Sequence, residues 1–391
     1  MNLIIDILGY FIVCVFIYNI VISLFSLKIK INKIDEVEQS TSFSILIPCY
    51  NEENVIWDTL LSLNNTEYNK GLLKIYVIAD NCTDSTVDMV NKFKEAYTGL
   101  NCNLLEVKGG SKPKAINEAI KVLKNKNLWI DECIFVLDAD NRVSKTLFKN
   151  FNKYNRHGFK ILQCAIHSLN DDSFIAKGFT SAFNNMNRGF QYSRNKIGLS
   201  GSLCGTGFSI KREIWDEIDF TRCDTLTEDL EFSILGILDN IKIKFIYNDY
   251  VLNQHLDKFK PSFIQRVRWS RGHTQVFIKL SGKTTVNLIK HPSLQLFDSL
   301  IFMFNPFRNV TYIIVLALEI IFQHTSYISV YFMIIPMIYY VCFFMYCDNW
   351  KINYFIPHIF YAFTMYFATV YGAITFRNKK WVKTFHRKIE K

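Results

Sequence analysis

The sequence is poor in the residues that mark fibrous and disulfide-stapled chains. It has 16 Gly and 7 Pro over 391 residues, which excludes collagen-like and low-complexity classes. Charge is thin too: 20% of residues are Asp, Glu, Lys or Arg, against ~25% in a soluble domain. The ten Cys form no C-x-x-C pair and no Cys/His set at zinc spacing, so they read as reduced thiols in a cytosolic domain. Apolar residues are plentiful. Half the chain is hydrophobic, aromatics make up 15% and mean hydropathy is +0.10, which excludes a disordered chain and leans towards a membrane protein with a large buried core.

Negative charge is also in short supply: 35 Asp and Glu stand against 45 Lys and Arg, a net +10. Nucleic-acid binding and a membrane surface with an anionic substrate compete to explain this. The placement decides. Seven cations (Arg377, Lys379, Lys380, Lys383, Arg387, Lys388 and Lys391) fall in the last fifteen residues, directly after an apolar run. That pattern is juxtamembrane, so a lipid bilayer is the expected partner and nucleic acid is not.

Ile7 to Leu27 is a 21-residue apolar run, about the length that spans a bilayer as a helix. Met1–Asp6 carries no Lys or Arg, and Lys28, Lys30 and Lys33 follow the run. This reads as an uncleaved anchor with its C-terminal end in the cytoplasm. Near the other end, Tyr327–Cys347 and Ile352–Phe376 are expected spans. The basic tail belongs in the cytoplasm, so Leu294–Phe322 is expected to be a re-entrant or interfacial hairpin bent at Pro306.

Between these segments, short apolar runs recur at Phe43–Ile47, Leu73–Ile78, Cys133–Leu137, Lys160–Cys164 and Ile241–Tyr247. Each has strand length. Helical patterns at Asn54–Leu63, Ser85–Tyr97 and Lys114–Leu123 separate the first three. Alternation of this kind predicts an α/β domain on a mostly parallel sheet covered on both faces. The expected organisation is an anchor over 1–30, the α/β domain over 43–260, and an amphipathic interface region over 261–292. A C-terminal membrane region over 293–376 and the basic tail over 377–391 complete it.

Six segments of the chain carry candidate chemistry. Pro48-Cys-Tyr-Asn-Glu52 ends the first strand, where open α/β sheets bind ligands, so Tyr50 and Glu52 can face a nucleotide. The competing reading is a helix cap by Asn51. Asp80 leaves the second strand in Ala-Asp-Asn-Cys-Thr-Asp84 and can accept from a base N–H; an Asx-turn with Asp84 as cap competes. Lys112 precedes a helix, a position suited to anions. Asp138-Ala-Asp140 follows a buried strand and suits Mg²⁺ or Mn²⁺. Asp229, in Thr225-Leu-Thr-Glu-Asp229, follows the Gly-rich stretch 201–207 and can act as a general base. A capping box between Thr225 and Glu228 is compatible with that role. In Gln265-Arg-Val-Arg-Trp269, Arg268 can neutralise a diphosphate and Trp269 can stack on a sugar; membrane anchoring competes.

Taken in order, Pro-x-Tyr-Asn-Glu, Ala-Asp-Asn, Lys-x-x-Ala-x-Asn, Asp-x-Asp, Thr-Glu-Asp and Gln-x-x-Arg-Trp resemble the processive branch of the family 2 glycosyltransferases. Cellulose, chitin, hyaluronan and poly-N-acetylglucosamine synthases belong to that branch. The resemblance covers roughly residues 43–275. It implies a GT-A fold between membrane segments and a nucleotide-sugar donor, usually UDP-linked. It also implies a direct, inverting displacement helped by Mg²⁺ or Mn²⁺. By motif match, Pro48, Tyr50, Glu52, Asp80, Lys112, Asp138, Gln265, Arg268 and Trp269 line the donor site. Asp138 and Asp140 hold the metal, and Asp229 is the base with Glu228 beside it. One motif departs from the family: the usual Asp-Asp-Gly-Ser-x-Asp is Ala-Asp-Asn-Cys-Thr-Asp here, which keeps Asp80 and loses its neighbour.

The implied activity is a hexosyl- or N-acetylhexosaminyltransferase in a multi-pass cell-membrane protein with a cytoplasmic catalytic domain. The acceptor is a growing saccharide or, alternatively, a membrane lipid, and an accessory export protein is a further partner that the class admits. A transporter or receptor with a nucleotide-binding domain is the competing class. The absence of charge in Tyr327–Cys347 argues against it.

Overall fold

The computed structural model describes residues 2–30, 34–218, 220–324 and 352–379. The expected span Tyr327–Cys347 and the tail beyond residue 379 lie outside the described residues.

After helix α1 (Asn2–Leu24) the chain alternates strand and helix: β1 (Phe43–Cys49), α2 (Ile56–Asn64), β2 (Leu73–Asp80), α3 (Thr86–Ala96), β3 (Asn101–Val107), α4 (Lys112–Asn125) and β4 (Cys133–Val136). The short β5 (Arg142–Val143), α5 (Leu147–Arg156) and β6 (Ile161–Ser168) follow. Helix α6 (Phe174–Asn185) then runs through a π-helical stretch, Met186–Tyr192, into α7 (Ser193–Lys196). Next come β7 (Phe208–Lys211), α8 (Arg212–Ile218), α9 (Glu228–Leu238), β8 (Ile243–Asn253) and the 32-residue α10 (Phe259–Lys290). Among the described residues three apolar helices close the order: α11 (Leu294–Met303), α12 (Asn305–Ile321) and α13 (Phe355–Ile374).

The strands form one eight-stranded sheet in the order β3-β2-β1-β4-β7-β6-β8-β5. The half from β3 to β4 is parallel, as expected. The sheet as a whole is mixed, which corrects the mostly parallel expectation: β7 is antiparallel to both β4 and β6, and β5 is antiparallel to β8. The reversing strands escape a sequence reading because they are two to four residues long. β3 escapes because it is an edge strand whose sequence, NCNLLEV, has no apolar run.

Each central strand is buried on both faces. Side chains of β1 alternate, with Phe43, Ile45 and Ile47 in a core under α2, α3 and α5, and Leu46 in a second core with α4, α8 and α9. Fully burying one such side chain is worth ~1.5–3 kcal/mol. These two cores fix the strand ends from which the site loops emerge.

The expected caps are not formed. Asn51 does not cap α2: it sits at φ 58°, and Val55 stands at the N-cap position. Thr225 and Glu228 make no capping box, because Thr227 is the N-cap of α9 and its side chain makes no cap bond. Asp84 does form an Asx-turn, accepting from the Thr86 N–H at 3.0 Å, but Ser85 rather than Asp84 stands at the N-cap position of α3.

Among the described residues one helix, α1, is long and apolar enough to cross a membrane. The pair α11–α12 passes the same test only when joined, and it bends by 58°. The break falls at Phe304, with Pro306 in the first turn of α12, so the chain bends where a bend was expected; 58° is a kink and not the reversal that a hairpin makes. Helix α13 does not pass on its own; Pro357, His358 and its Tyr and Thr residues dilute the apolar run expected over 352–376.

Candidate active site

The site is assembled at the carboxyl ends of β1, β2 and β4. Two loops are stitched together there. Asn51 Oδ1 accepts from the Thr83 N–H (2.7 Å), the Glu52 N–H donates to Thr86 Oγ1 (2.8 Å), and Glu53 accepts from the Ser85 N–H (2.9 Å). Pro48 lies in β1 opposite Ile78. Tyr50 beyond it is exposed and Glu52 is half-buried.

Asp80 ends β2 and is buried. Its carboxylate accepts from the backbone N–H of Gly109 (2.7 Å) and of Gly110 (2.8 Å), and from Asn81 Nδ2 (2.7 Å). Gly109 is required by space: a Cβ there would stand 2.4 Å from the Ala115 backbone nitrogen. The Gly109-Gly110 pair therefore folds tightly over Asp80 and delivers the start of α4. The donors occupying Asp80 were missed in the sequence reading, although a Gly-Gly pair just before a helix is a usable signal.

Lys112, in the first turn of α4, donates to Asp138 Oδ1 (2.5 Å) and to the Gly205 carbonyl (2.6 Å). Burial alone would lower its pKa, but the carboxylates of Asp138, Glu228 and Asp229 outweigh that and raise it. Thr206 is a further site residue that the sequence did not reveal: its hydroxyl accepts from the Asp138 N–H (3.0 Å) and from Asn141 Nδ2 (2.7 Å). Gln163, fully buried in β6, holds the same loop by donating to the Thr206 carbonyl (3.0 Å) and accepting from the Cys204 N–H (3.0 Å). Nothing local in the sequence marks Gln163.

Glu228 and Asp229 open α9 and face this cluster. Burial, reinforced by the charge of Asp229, pushes Glu228 up to about 7 against the opposing pull of Lys112 and Arg268. Burial also raises Asp229. Arg268 on α10 lies in the field of Glu228, Asp229 and Asp138; burial lowers its pKa and those three carboxylates oppose the shift. Gln265 lies half-buried one turn earlier. Trp269 packs edge-on against Phe179 (6.2 Å between ring centroids) and Phe183 (6.3 Å), next to His255, which stacks on Phe179.

The structure thus brings Lys112, Asp138, Glu228, Asp229 and Arg268 into one electrostatic cluster. Asp80 and the loop carrying Tyr50 and Glu52 stand at the neighbouring strand ends. Asp140 is 9% exposed and lines a small cavity with Asp58, Thr59, Arg142 and Gln254.

In open α/β sheets ligands bind at the carboxyl ends of the strands, and that is where these cations and carboxylates converge. Residues 40–272 match the family model described as glycosyltransferase-like family 2, and the chain belongs to that family. It is 27% identical over 247 residues to a beta-monoglucosyldiacylglycerol synthase of Nostoc sp., covering 62% of this chain and 51% of that protein. It is 26% identical over 282 residues to a poly-beta-1,6-N-acetyl-D-glucosamine synthase of Staphylococcus epidermidis, covering 71% and 64%. The match therefore spans between half and two thirds of these relatives' length. Among solved structures, a mannosyltransferase from Pyrobaculum calidifontis in complex with GDP-Man and Mn²⁺ superposes with a TM-score of 0.67 at 15% identity, covering 96% of this chain and 99% of the other. That likeness is one of fold, and the α/β domain is of the GT-A type with a mixed sheet.

Proposed function

We propose that the protein is a membrane-bound inverting glycosyltransferase that moves a sugar from a UDP-linked donor to a growing polysaccharide. The observation that carries this reading is the placement of Lys112 and Arg268 against Asp138, Glu228 and Asp229. In this reading the two cations neutralise the charge of the departing diphosphate, and the carboxylate pair, its pKa values raised, serves the acceptor hydroxyl as it loses its proton. Asp229 takes that proton as the acceptor oxygen bonds to the anomeric carbon and the bond to the diphosphate breaks on the opposite face. Trp269 and its aromatic neighbours offer the flat apolar surface on which a sugar ring stacks.

The fit to Mg²⁺ or Mn²⁺ is partial: Asp138 presents a carboxylate that is 32% exposed and paired with Lys112, whereas Asp140 lines a cavity with Asp58 and Arg142 whose lining does not include Asp138. Among the described residues no group of three or more His, Cys, Asp or Glu stands ready to hold a metal. Mg²⁺ is commonly held by one or two carboxylates, with phosphates and water completing the shell. Bound there, the ion would act as a Lewis acid on the diphosphate.

The membrane reading is multi-pass with the catalytic domain in the cytoplasm. It is supported by α1, the bent α11–α12 pair, and Lys28 and Lys30 after α1. A glycolipid product is the second reading. It is favoured by apolar side chains left exposed around the helices beside Trp269, among them Phe174 on α6, Phe259 on α10 and Phe363 on α13. The similarity to a glycolipid synthase points the same way. The test is a donor screen on the detergent-solubilised chain with Mg²⁺ or Mn²⁺, reading released nucleotide diphosphate and product size. A ladder of lengthening saccharides supports the synthase, and one discrete lipid-extractable product supports the glycolipid enzyme. No turnover with any sugar nucleotide refutes both.

A further inference from the structure

The loop that presents Glu228 and Asp229 is held from outside the strand-end site. The side-chain amide of Gln275, two turns beyond Arg268 on α10, bridges two distant backbone groups. Its Oε1 accepts from the Leu226 N–H (2.9 Å) and its Nε2 donates to the Phe376 carbonyl (2.6 Å), just past the end of α13. The same face of α10 touches the loop at Gly272. A Cβ there would meet Thr227 at 2.5 Å (Cγ2) and its backbone nitrogen at 2.7 Å, so the helix reaches the loop only because this position has no side chain. A third contact joins the same partners: Lys379, beyond α13, donates to Asp224 Oδ2 (3.1 Å) at the start of the loop.

We propose that Gln275 is a positioning residue. It fastens the loop carrying Glu228 and Asp229 to the segment that follows α13, so the placement of the base depends on how the C-terminal helix is docked. The role in catalysis rests on the transferase reading; the mechanical brace does not. The Leu226 N–H lies two and three residues before the carboxylates, so its release lets the first turn of α9 move. A displacement of about 1 Å at a reacting group is enough to cost ~100-fold in rate. The exposed Lys379–Asp224 pair contributes little by itself, because surface ion pairs are worth ~0–1 kcal/mol. The half-buried amide is the stronger fastening.

The test uses the full chain in detergent and the variants Gln275→Met, of similar length without hydrogen bonds, and Gln275→Glu, which keeps an acceptor for Leu226 and loses the donor to Phe376. Amide hydrogen exchange is read over residues 224–230, along with nucleotide diphosphate release across pH. The brace predicts about tenfold faster exchange at Leu226 in Gln275→Met. It also predicts kcat lowered about tenfold with the donor KM within about twofold, and the pH midpoint of kcat moved by about half a unit. Gln275→Glu falls between wild type and Gln275→Met in exchange. Unchanged exchange in Gln275→Met, or in Gln275→Glu should the first variant not fold, overturns the brace. Faster exchange with unchanged kcat and pH midpoint leaves Gln275 a structural residue and overturns its positioning role. A wild type that turns over no sugar nucleotide counts against the transferase reading, while the exchange result still decides the brace.

Discussion

Replacing Glu228 with Gln separates the electrostatic strain of this site from its packing. The two side chains have nearly the same shape, and only one can ionise. In the folded chain, burial first and the neighbouring Asp229 second raise the Glu228 carboxyl from its ordinary 4.5 to about 7. The folded state therefore holds the proton more tightly than the unfolded state does. Below pH 4.5 both states are protonated and the group is neutral in the balance. Between pH 4.5 and 7 the unfolded chain ionises first, so stability falls with rising pH, and above 7 the loss is complete. A shift of that size corresponds to ~3 kcal/mol at ~1.4 kcal/mol per unit. Gln also forfeits a negative charge in the first turn of α9, worth ~0.3–1 kcal/mol. Water reaches the half-buried pair and reduces the first figure further, so the net gain expected above pH 7 is ~1–2 kcal/mol. For a domain of this size that raises the melting temperature by ~2–8 °C. Thermal unfolding of wild type and Glu228→Gln in one detergent, at pH 4.5, 6 and 8, checks it. Curves that coincide at pH 4.5 and separate at pH 8, with Gln the more stable, are expected. A gap that is constant across pH, or has the opposite sign at pH 8, refutes the argument that Glu228 is held against its ionisation.

The remaining predictions concern turnover. Asp229→Asn, which keeps the side chain's size and removes its basicity, lowers kcat by about 10²–10⁴-fold with the fold intact by circular dichroism; full retention of sugar transfer removes Asp229 as base. Because burial raises the Asp229 carboxyl, kcat climbs with pH at values above the ordinary Asp range; a profile flat above that range separates Asp229 from the chemistry. Chelating divalent cations abolishes turnover and adding Mn²⁺ or Mg²⁺ restores it; undiminished release in chelator takes the metal role from Asp138 and Asp140. Lys112→Met raises the donor KM at least about tenfold if its cation binds the donor diphosphate as proposed; an unchanged donor KM places the diphosphate elsewhere.

Legibility in the sequence followed burial. Strands β1, β2 and β4 announce themselves because each is apolar on both faces, and the residues expected at their carboxyl ends, Tyr50, Asp80 and Asp138, are where those strands stop. What could not be read was whatever depends on a partner far along the chain. β7 is four residues of mixed polarity and makes a strand because β4 and β6 offer it edges. Gln163 and Thr206 look like ordinary polar residues until the fold sets them under the loop that receives Lys112. The cap assignments failed for the same reason: Asn51 and Thr225 have local capping chemistry, yet one is held by Thr83 from the neighbouring loop and the backbone N–H of the other by Glu231. Residue type thus located the charged groups of the candidate site, whereas the hydrogen bonds that aim them run between elements. The same division holds for the Gln-x-x-Arg-Trp segment, whose residue types suit a diphosphate and a sugar as well as a membrane interface: it forms one turn of a helix whose packed face continues past Gly272 and Gln275. Arg268 lies in the field of Glu228 and Asp229, Trp269 packs against Phe179 and Phe183, the next two turns grip the loop of Asp229, and the far partner of that grip lies about a hundred residues on, where no local pattern can point to it.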